Sequence, residues 1–195
     1  MGGIPVTRAF ETGSFFTLGF GESASSATRR YTIGPMVELR LPYGFSIECD
    51  ALYKRLGFGV TTKMSGLIFT YTNASANSWE FPLLAKYRLP SVAAARPYFS
   101  AGPSFRARNG VSVSSTRVLY FGGSTVTGPQ HTSNDIHFDN RSNLGLTLGF
   151  GIGSRLRFLY LAPEARYTRW KPDRQTDPFL HSYQNQVELL LGITF

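Results

Sequence analysis

An all-β fold of antiparallel, up-and-down strands is predicted by three features of the sequence. Apolar residues recur with a period of two over stretches of about ten residues, the spacing of a strand with one apolar face. No stretch repeats with the 3.6-residue period of an amphipathic helix, and no apolar run reaches the ~18 residues of a membrane-spanning helix. The connections between the periodic stretches alternate between short and long along the 195-residue chain.

The stretches follow one another in a regular series. Tyr31–Leu41 places Tyr31, Ile33, Val37, Leu39 and Leu41 on one face, and Phe45–Lys54 does the same with Phe45, Ile47, Cys49, Ala51 and Tyr53. Trp79–Leu89 and Pro97–Arg106 repeat the pattern. Leu144–Ile152 alternates Leu144, Leu146, Leu148, Phe150 and Ile152 with Gly145, Thr147, Gly149 and Gly151. Leu159–Thr168 and Val187–Phe195 close the series. These make seven strands, and a short or truncated first strand near Gly3–Arg8 makes eight. The segments 42–44, 90–96 and 153–157 read as tight turns, whereas 7–29, 57–78, 108–142 and 171–184 read as long loops rich in Gly, Ser, Thr and Asn. Hairpins then put every short turn at one end and every long loop at the other, the asymmetry of a transmembrane β-barrel. One domain over 1–195 accommodates all of this.

Composition narrows the class. Charged residues are 16% of the chain and aromatics 14%, where soluble domains average about 25% charged and disordered chains have few aromatics. A single cysteine, Cys49, excludes an intrachain disulfide and a Cys-based metal site. The opening Met1–Pro5 lacks the basic and apolar regions of a secretory signal. The expectation is a late start, with the signal peptide and the rest of strand one encoded upstream.

The two faces of the strands differ in a way that sets their orientation. The polar face carries Glu38, Glu48, Asp50, Glu80, Glu164 and Glu188 together with Arg40, Lys54, Lys86, Arg88, Arg106 and Arg166. Six acids matched by six bases suit an enclosed lumen filled by ion pairs, because an unpaired buried charge is costly. Glycines 145, 149 and 151 lie on the same face and leave room for long side chains. The other face is Leu, Ile, Val, Phe and Tyr, which hydrocarbon tolerates, and closure into a barrel removes strand edges that lipid cannot satisfy. Tyr31, Tyr53, Trp79, Phe105 and Tyr167 stand at the long-loop end of the apolar rows, and Phe45, Tyr87, Phe99, Phe150 and Phe195 at the short-turn end. Two aromatic bands match two membrane interfaces. A soluble lipocalin-like barrel, oily inside and polar outside, is the alternative orientation.

With the polar face balanced, the formal charge of +8 falls on rims and loops. Arg29, Arg30, Arg55, Arg108, Arg141, Arg169 and Lys171 gather at the long-loop rim, and Arg96, Arg155 and Arg157 at the other. Arg pairs with phosphate through two hydrogen bonds, so Arg30, Arg55, Arg108, Arg141, Arg169 and Lys171 are candidate contacts to lipopolysaccharide. Simple snorkelling to water is the competing explanation. Bases that ring a barrel form no stripe, which disfavours nucleic acid.

The ending Val187, Leu189, Leu191, Ile193 and Phe195 resembles the C-terminal targeting strand of Gram-negative outer-membrane proteins. The segments LRLPYGFSIECDALYKR, RPYFSAGPSFR and APEARYTRW resemble small outer-membrane β-barrel domain proteins, related in architecture to OmpA and OmpX. The resemblance implies recognition of the last strand by the barrel-assembly machinery, an integral location in the bacterial outer membrane and a monomer. It implies fold and location far more than activity. Pro35, Pro82, Pro103 and Pro163 depart from a regular strand pattern and are expected to sit at bulges.

Chemistry is the last question. The densest reactive cluster is His131, Ser133, Asp135, His137 and Asp139, in a long predicted loop, with His181 in another. Catalysis needs such groups held within hydrogen-bond reach, which a loop of about 35 residues does not promise. The expectation is a non-enzymatic protein with no cofactor and no metal, in a structural or surface-recognition role. A lipid-modifying enzyme is the alternative. Eight strands leave a lumen that side chains can fill, which argues against a wide pore.

Overall fold

The computed structural model describes all residues except 8–12, 27, 30, 65–67, 91–94, 122–123, 135–141, 157, 173–183 and 195, and describes backbone alone for 109–111, 119–121, 124–134 and 156. Thirteen strands are described: β1 (Gly2–Pro5), β2 (Gly13–Thr17), β3 (Phe20–Ser26), β4 (Thr32–Ile33), β5 (Met36–Arg40), β6 (Phe45–Asp50), β7 (Leu52–Met64), β8 (Ile68–Arg88), β9 (Ala95–Phe121), β10 (Ser124–Asn134), β11 (Ser142–Leu156), β12 (Leu159–Trp170) and β13 (Asn185–Thr194). All pairings are antiparallel.

Eight of these positions form a ring. β4 and β5 are two halves of one wall strand, because Ile33 faces Tyr53 and Met36 faces Asp50 in a single register. β6 and β7 are likewise two halves of the next, both paired with β8 in one register. The wall then runs β1, β4/β5, β6/β7, β8, β9, β11, β12, β13, and returns to β1. Closure rests on Gly2–Pro5, which faces Glu188–Leu191 of β13 on one side and, at Gly2 and Gly3, Ile33 and Thr32 on the other. The first strand is therefore short, and among the described residues Met36–Arg40 pairs with β6 alone.

The expected bulges at proline are not found. Pro82 faces Ser104, Pro103 faces Leu146 and Pro163 faces Leu191 with the register unchanged on either side. Pro35 interrupts the ladder without shifting it. Each proline lacks one N–H donor, but its carbonyl is free to accept, and that of Pro35 takes the Ala51 N–H at 3.1 Å. Gly34 makes this pinch possible, since a Cβ there would lie 1.8 Å from the Ala51 carbonyl oxygen. The single shift in the β8–β9 ladder falls between Ser75 and Asn77, above the ring.

Of the expected short turns, residues 91–94 and 157 lie outside the described residues and 153–156 belong to β11, whereas the turn at 42–44 behaves as expected. Pro42–Gly44 is one 3-10 turn, with Tyr43 and Gly44 at φ of 61° and 83° and the Leu41 N–H donating to the Phe45 carbonyl at 2.9 Å. The long connections do not. Segments expected as loops over 57–78 and 108–142 continue largely as strand, because β7, β8 and β9 run on past the ring and pair with β3 and β10. Part of 7–29 folds as the β2–β3 hairpin. Thr and Val along these stretches suit an extended backbone. Ser, Thr, Asn and Gly are spread over both faces, so no strict oily alternation marks them.

Candidate functional site

Orientation follows from the exposure of the two rows. On the outer surface Val37, Leu39, Leu144, Leu146, Leu148, Leu189 and Ile193 are all exposed, Val37 by 70% and Leu148 by 50%. The inward row is buried and charged: Glu48, Asp50, Lys54, Glu80, Lys86, Arg106, Glu164, Arg166 and Glu188 are all within 5% of full burial. A lipocalin-like arrangement would show the reverse.

Aromatic rings collect where the rows end. Phe45, Tyr87, Phe99 and Phe150 lie in one register across β6, β8, β9 and β11, forming a band near the short turns. Phe45 and Tyr87 are 4.9 Å apart, and Phe99 and Phe150 5.1 Å. Toward the other end, Tyr31, Tyr53 and Trp79 form a chain with centroid separations of 6.4 and 5.3 Å. Phe195 lies outside the described residues.

Among the described residues the interior holds three ion-pair clusters. At the centre, Arg166 reaches Glu48 (2.5 Å), Asp50 (2.5 Å) and Glu164 (2.7 Å), while Lys86 pairs with Glu48 and lies 3.5 Å from Glu164. Tyr98 and Ser100 donate to Glu164 at 3.0 and 2.9 Å. Nearer the long strands, Lys54 bridges Glu80 and Glu188, the latter at 2.6 Å, and Arg106 pairs with Glu80 at 2.8 Å. Arg106 also lies 3.8 Å over the Trp170 ring, and both donate to Gln186. Toward the short turns Arg88 pairs with Glu38 and donates to Ser46 at 3.1 Å. Eleven of the twelve charged residues assigned to the lumen from sequence thus meet one another. The exception is Arg40, which lies on the same row but is exposed, 5.7 Å over the Tyr160 ring.

Neutral side chains complete the filling. Tyr98, Leu84, Leu52, Leu190 and Trp170 are buried here. The sequence signal was available for them, because each shares the even-numbered parity of the charged row, but an apolar residue on a polar row does not announce itself. The glycines of β11 make the space. A Cβ on Gly149 would meet Ser100 Oγ at 2.2 Å and Glu164 Oε1 at 2.4 Å, and one on Gly151 would meet the Tyr98 ring at 2.3 Å.

The rim residues separate. Arg55, Arg169 and Lys171 are exposed. Arg108 instead continues the inward row of Ser104 and Arg106 and faces buried Ser78 in register, so its place is at the mouth of the lumen and not against lipid. Arg30 and Arg141 lie outside the described residues. On β13, Leu189, Leu191 and Ile193 face outward and Val187 is half-buried. His131 belongs to β10 opposite Thr116, not to a loop. His137, Asp135, Asp139 and His181 lie outside the described residues. Among the described residues no group of three His, Cys, Asp or Glu side chains is placed to hold a metal ion.

No curated protein matches the chain. A family model does, over residues 11–169, and its description is an outer membrane protein β-barrel domain. That span runs from the β2–β3 hairpin to Arg169 of β12 and takes in six of the eight wall positions, all but β1 and β13, so the fold and the match concur: the chain belongs to the outer membrane β-barrel domain family.

Proposed function

We propose that this chain is a non-enzymatic integral protein of the bacterial outer membrane, with a structural or surface-recognition role and a lumen closed by its own ion pairs. The observation that supports it best is the central cluster, where Arg166, Glu48 and Glu164 are each at least 97% buried and paired with one another. A lumen of eight strands is just wide enough for such side chains. The contact surface in this reading is the sheet β2–β3–β7–β8–β9–β10 that extends beyond the ring. The partners are outer-membrane lipid and lipopolysaccharide through the outward cations Arg55, Arg169 and Lys171, and the assembly machinery through Val187, Leu189, Leu191, Ile193 and Phe195. The protein acts as a monomer, with no nucleic acid, no metal and no cofactor.

The test is electrical and direct. The refolded chain, reconstituted in planar bilayers, should show a heat-dependent gel mobility shift and no stable conductance. Steady single-channel steps would refute a closed lumen. Incorporation of labelled acyl groups, abolished by His131→Ala or His137→Ala, would establish the enzyme instead.

A further inference from the structure

We infer that the outward crevice between the long-strand ends of β11 and β12 binds a phosphorylated lipid, with Arg169 and Lys171 holding the phosphate and Leu144 and Leu146 seating an acyl chain. This rests on the outer-membrane reading above and names one site within it. The outward row of β12 runs from Leu159 to Tyr167 before it turns basic at Arg169. Those nine residues match the ~9–11 that a tilted strand needs to cross the hydrocarbon. Arg169 therefore emerges at the depth of lipid headgroups, one outward position beyond Tyr167.

Register brings the cations against oily side chains. Arg169 faces Leu146 on one side and Asn185 on the other. The Lys171 N–H donates to the Leu144 carbonyl at 2.8 Å, which sets Lys171 beside Leu144. Leu144 and Leu146 are 59% and 56% exposed. With Pro172 and Gln184 among its other lining residues, the crevice is an open depression of about 340 Å³. Its frame is braced: Asn143 Nδ2 donates to the Lys171 carbonyl at 2.9 Å, and the Tyr167 hydroxyl donates to Asn185 at 2.7 Å. Among the described residues no carboxylate pairs with Arg169 or Lys171, unlike the cations of the lumen. Two cations with no carboxylate partner among the described residues, above two exposed leucines, complement a molecule with a phosphate at one end and a hydrocarbon tail at the other. A soluble phosphate would leave the leucines uncovered, and a neutral lipid would leave the cations unpaired.

The experiment uses the full chain in phosphatidylcholine vesicles, with fluorescence transfer from its tryptophans to pyrene-labelled phosphatidic acid or to pyrene-labelled diacylglycerol of the same chain length. The expected result is a preference for the phosphorylated probe of about a hundredfold, roughly tenfold for each cation. Arg169→Gln with Lys171→Gln should erase that preference, while Arg155→Gln at the opposite rim leaves it intact. Leu144→Ser with Leu146→Ser should weaken both probes alike. Equal binding of the two lipids, or a preference that survives the double substitution, overturns the site. Displacement of pyrene-phosphatidic acid by inorganic phosphate at equal concentration also overturns it, because the acyl chain would then contribute nothing. Flotation with vesicles and the heat-dependent mobility shift are scored on every variant. If the parent chain floats and shifts but shows no lipid preference, only the crevice fails; if it does neither, the barrel reading fails.

Discussion

Replacing Arg166 with methionine removes the one group that neutralises three carboxylates at once. The side chain is 2% exposed and lies within 2.7 Å of Glu48, Asp50 and Glu164. Without it, three buried carboxylates face a single remaining cation, Lys86. Breaking a buried pair from one side costs about 3–5 kcal/mol, and three orphaned partners place Arg166→Met at the upper end of that range. Against a typical stability of about 5–15 kcal/mol, the variant should lose a third or more of its resistance to urea in micelles. Tryptophan fluorescence together with the mobility of the unheated band would follow the unfolding. The compensated variant Arg166→Met, Asp50→Asn, Glu164→Gln leaves one carboxylate, Glu48, opposite one cation, Lys86. It should recover to within about 1–2 kcal/mol of the parent, since a buried pair replaced by neutral groups of similar volume is close to neutral. If Arg166→Met alone unfolds within about 1 kcal/mol of the parent, the cluster is wet and the argument for a sealed lumen is wrong. If the triple variant is no better than the single one, the loss lies in packing and not in charge.

Three further substitutions probe other links. Gly149→Ala inserts a methyl against the Ser100 hydroxyl and the Glu164 carboxylate and should cost about 1–3 kcal/mol. Gly192→Ala, whose nearest neighbour would be 3.5 Å away, should fall within about 0.5 kcal/mol of the parent by the same urea titration. Equal effects would mean that the glycines of β11 are not there to make room. Leu148→Arg puts a charge on the outward row and should cost about 2–4 kcal/mol in a bilayer, as arginine does at the midplane of a barrel wall. A cost near zero would indicate that this face meets water. Cys49 is exposed on the outer surface between Ile47 and Ala51. In proteoliposomes it should react with a membrane-permeant maleimide and resist a charged, impermeant one. Equal labelling by both would contradict burial of that row in lipid.

The wall was legible in the sequence because it is a problem with two solvents. Between Phe45 and Asp50, or between Trp79 and Arg88, lipid on one side and a charged interior on the other force strict alternation, and parity alone assigns eleven of the twelve lumen charges. Arg40 shares the parity but stands where the strand leaves the interior, and a row assignment carries no information about depth. The same limit applies to Arg108, whose parity turns it inward although its position along the chain places it with the rim cations. Above the membrane the signal disappears. In β8, Thr70, Thr72 and Ser75 resemble loop residues, yet Thr72 hydrogen-bonds Ser115 of β9 at 3.1 Å in a regular ladder. Where Ser, Thr and Asn stand on both faces of a sheet, pairing leaves no strict hydrophobic period behind. The prolines misled for a related reason: the pattern shows a lost donor, but only the register shows whether the ladder shifts around it.

The interior network also does something that the strand ladders cannot. Backbone hydrogen bonds join each wall strand to its two neighbours and leave the cross-section free to flatten. Several of the ion pairs, beside those between ladder neighbours, join strands that never touch in the ladder. Arg166 on β12 holds Glu48 and Asp50 on β6, four positions away around a ring of eight, which is the full diameter. Lys86 on β8 reaches Glu164 on β12, and Lys54 on β7 reaches Glu188 on β13, each three positions away. Arg106 on β9 reaches Gln186 on β13 at the same separation. These chords cross the lumen in different directions, so together they fix its roundness. That matters most where the wall is weakest, at the four-residue β1, since Lys54 and Thr32 both hold Glu188 and so tie β7 and β4 to β13 across that short strand. Glu188→Gln should therefore loosen the β1–β13 closure specifically. Amide exchange should quicken at Ile4 and Leu189 while the β8–β9 ladder stays protected, and uniform acceleration around the ring would show that the chords do not act locally.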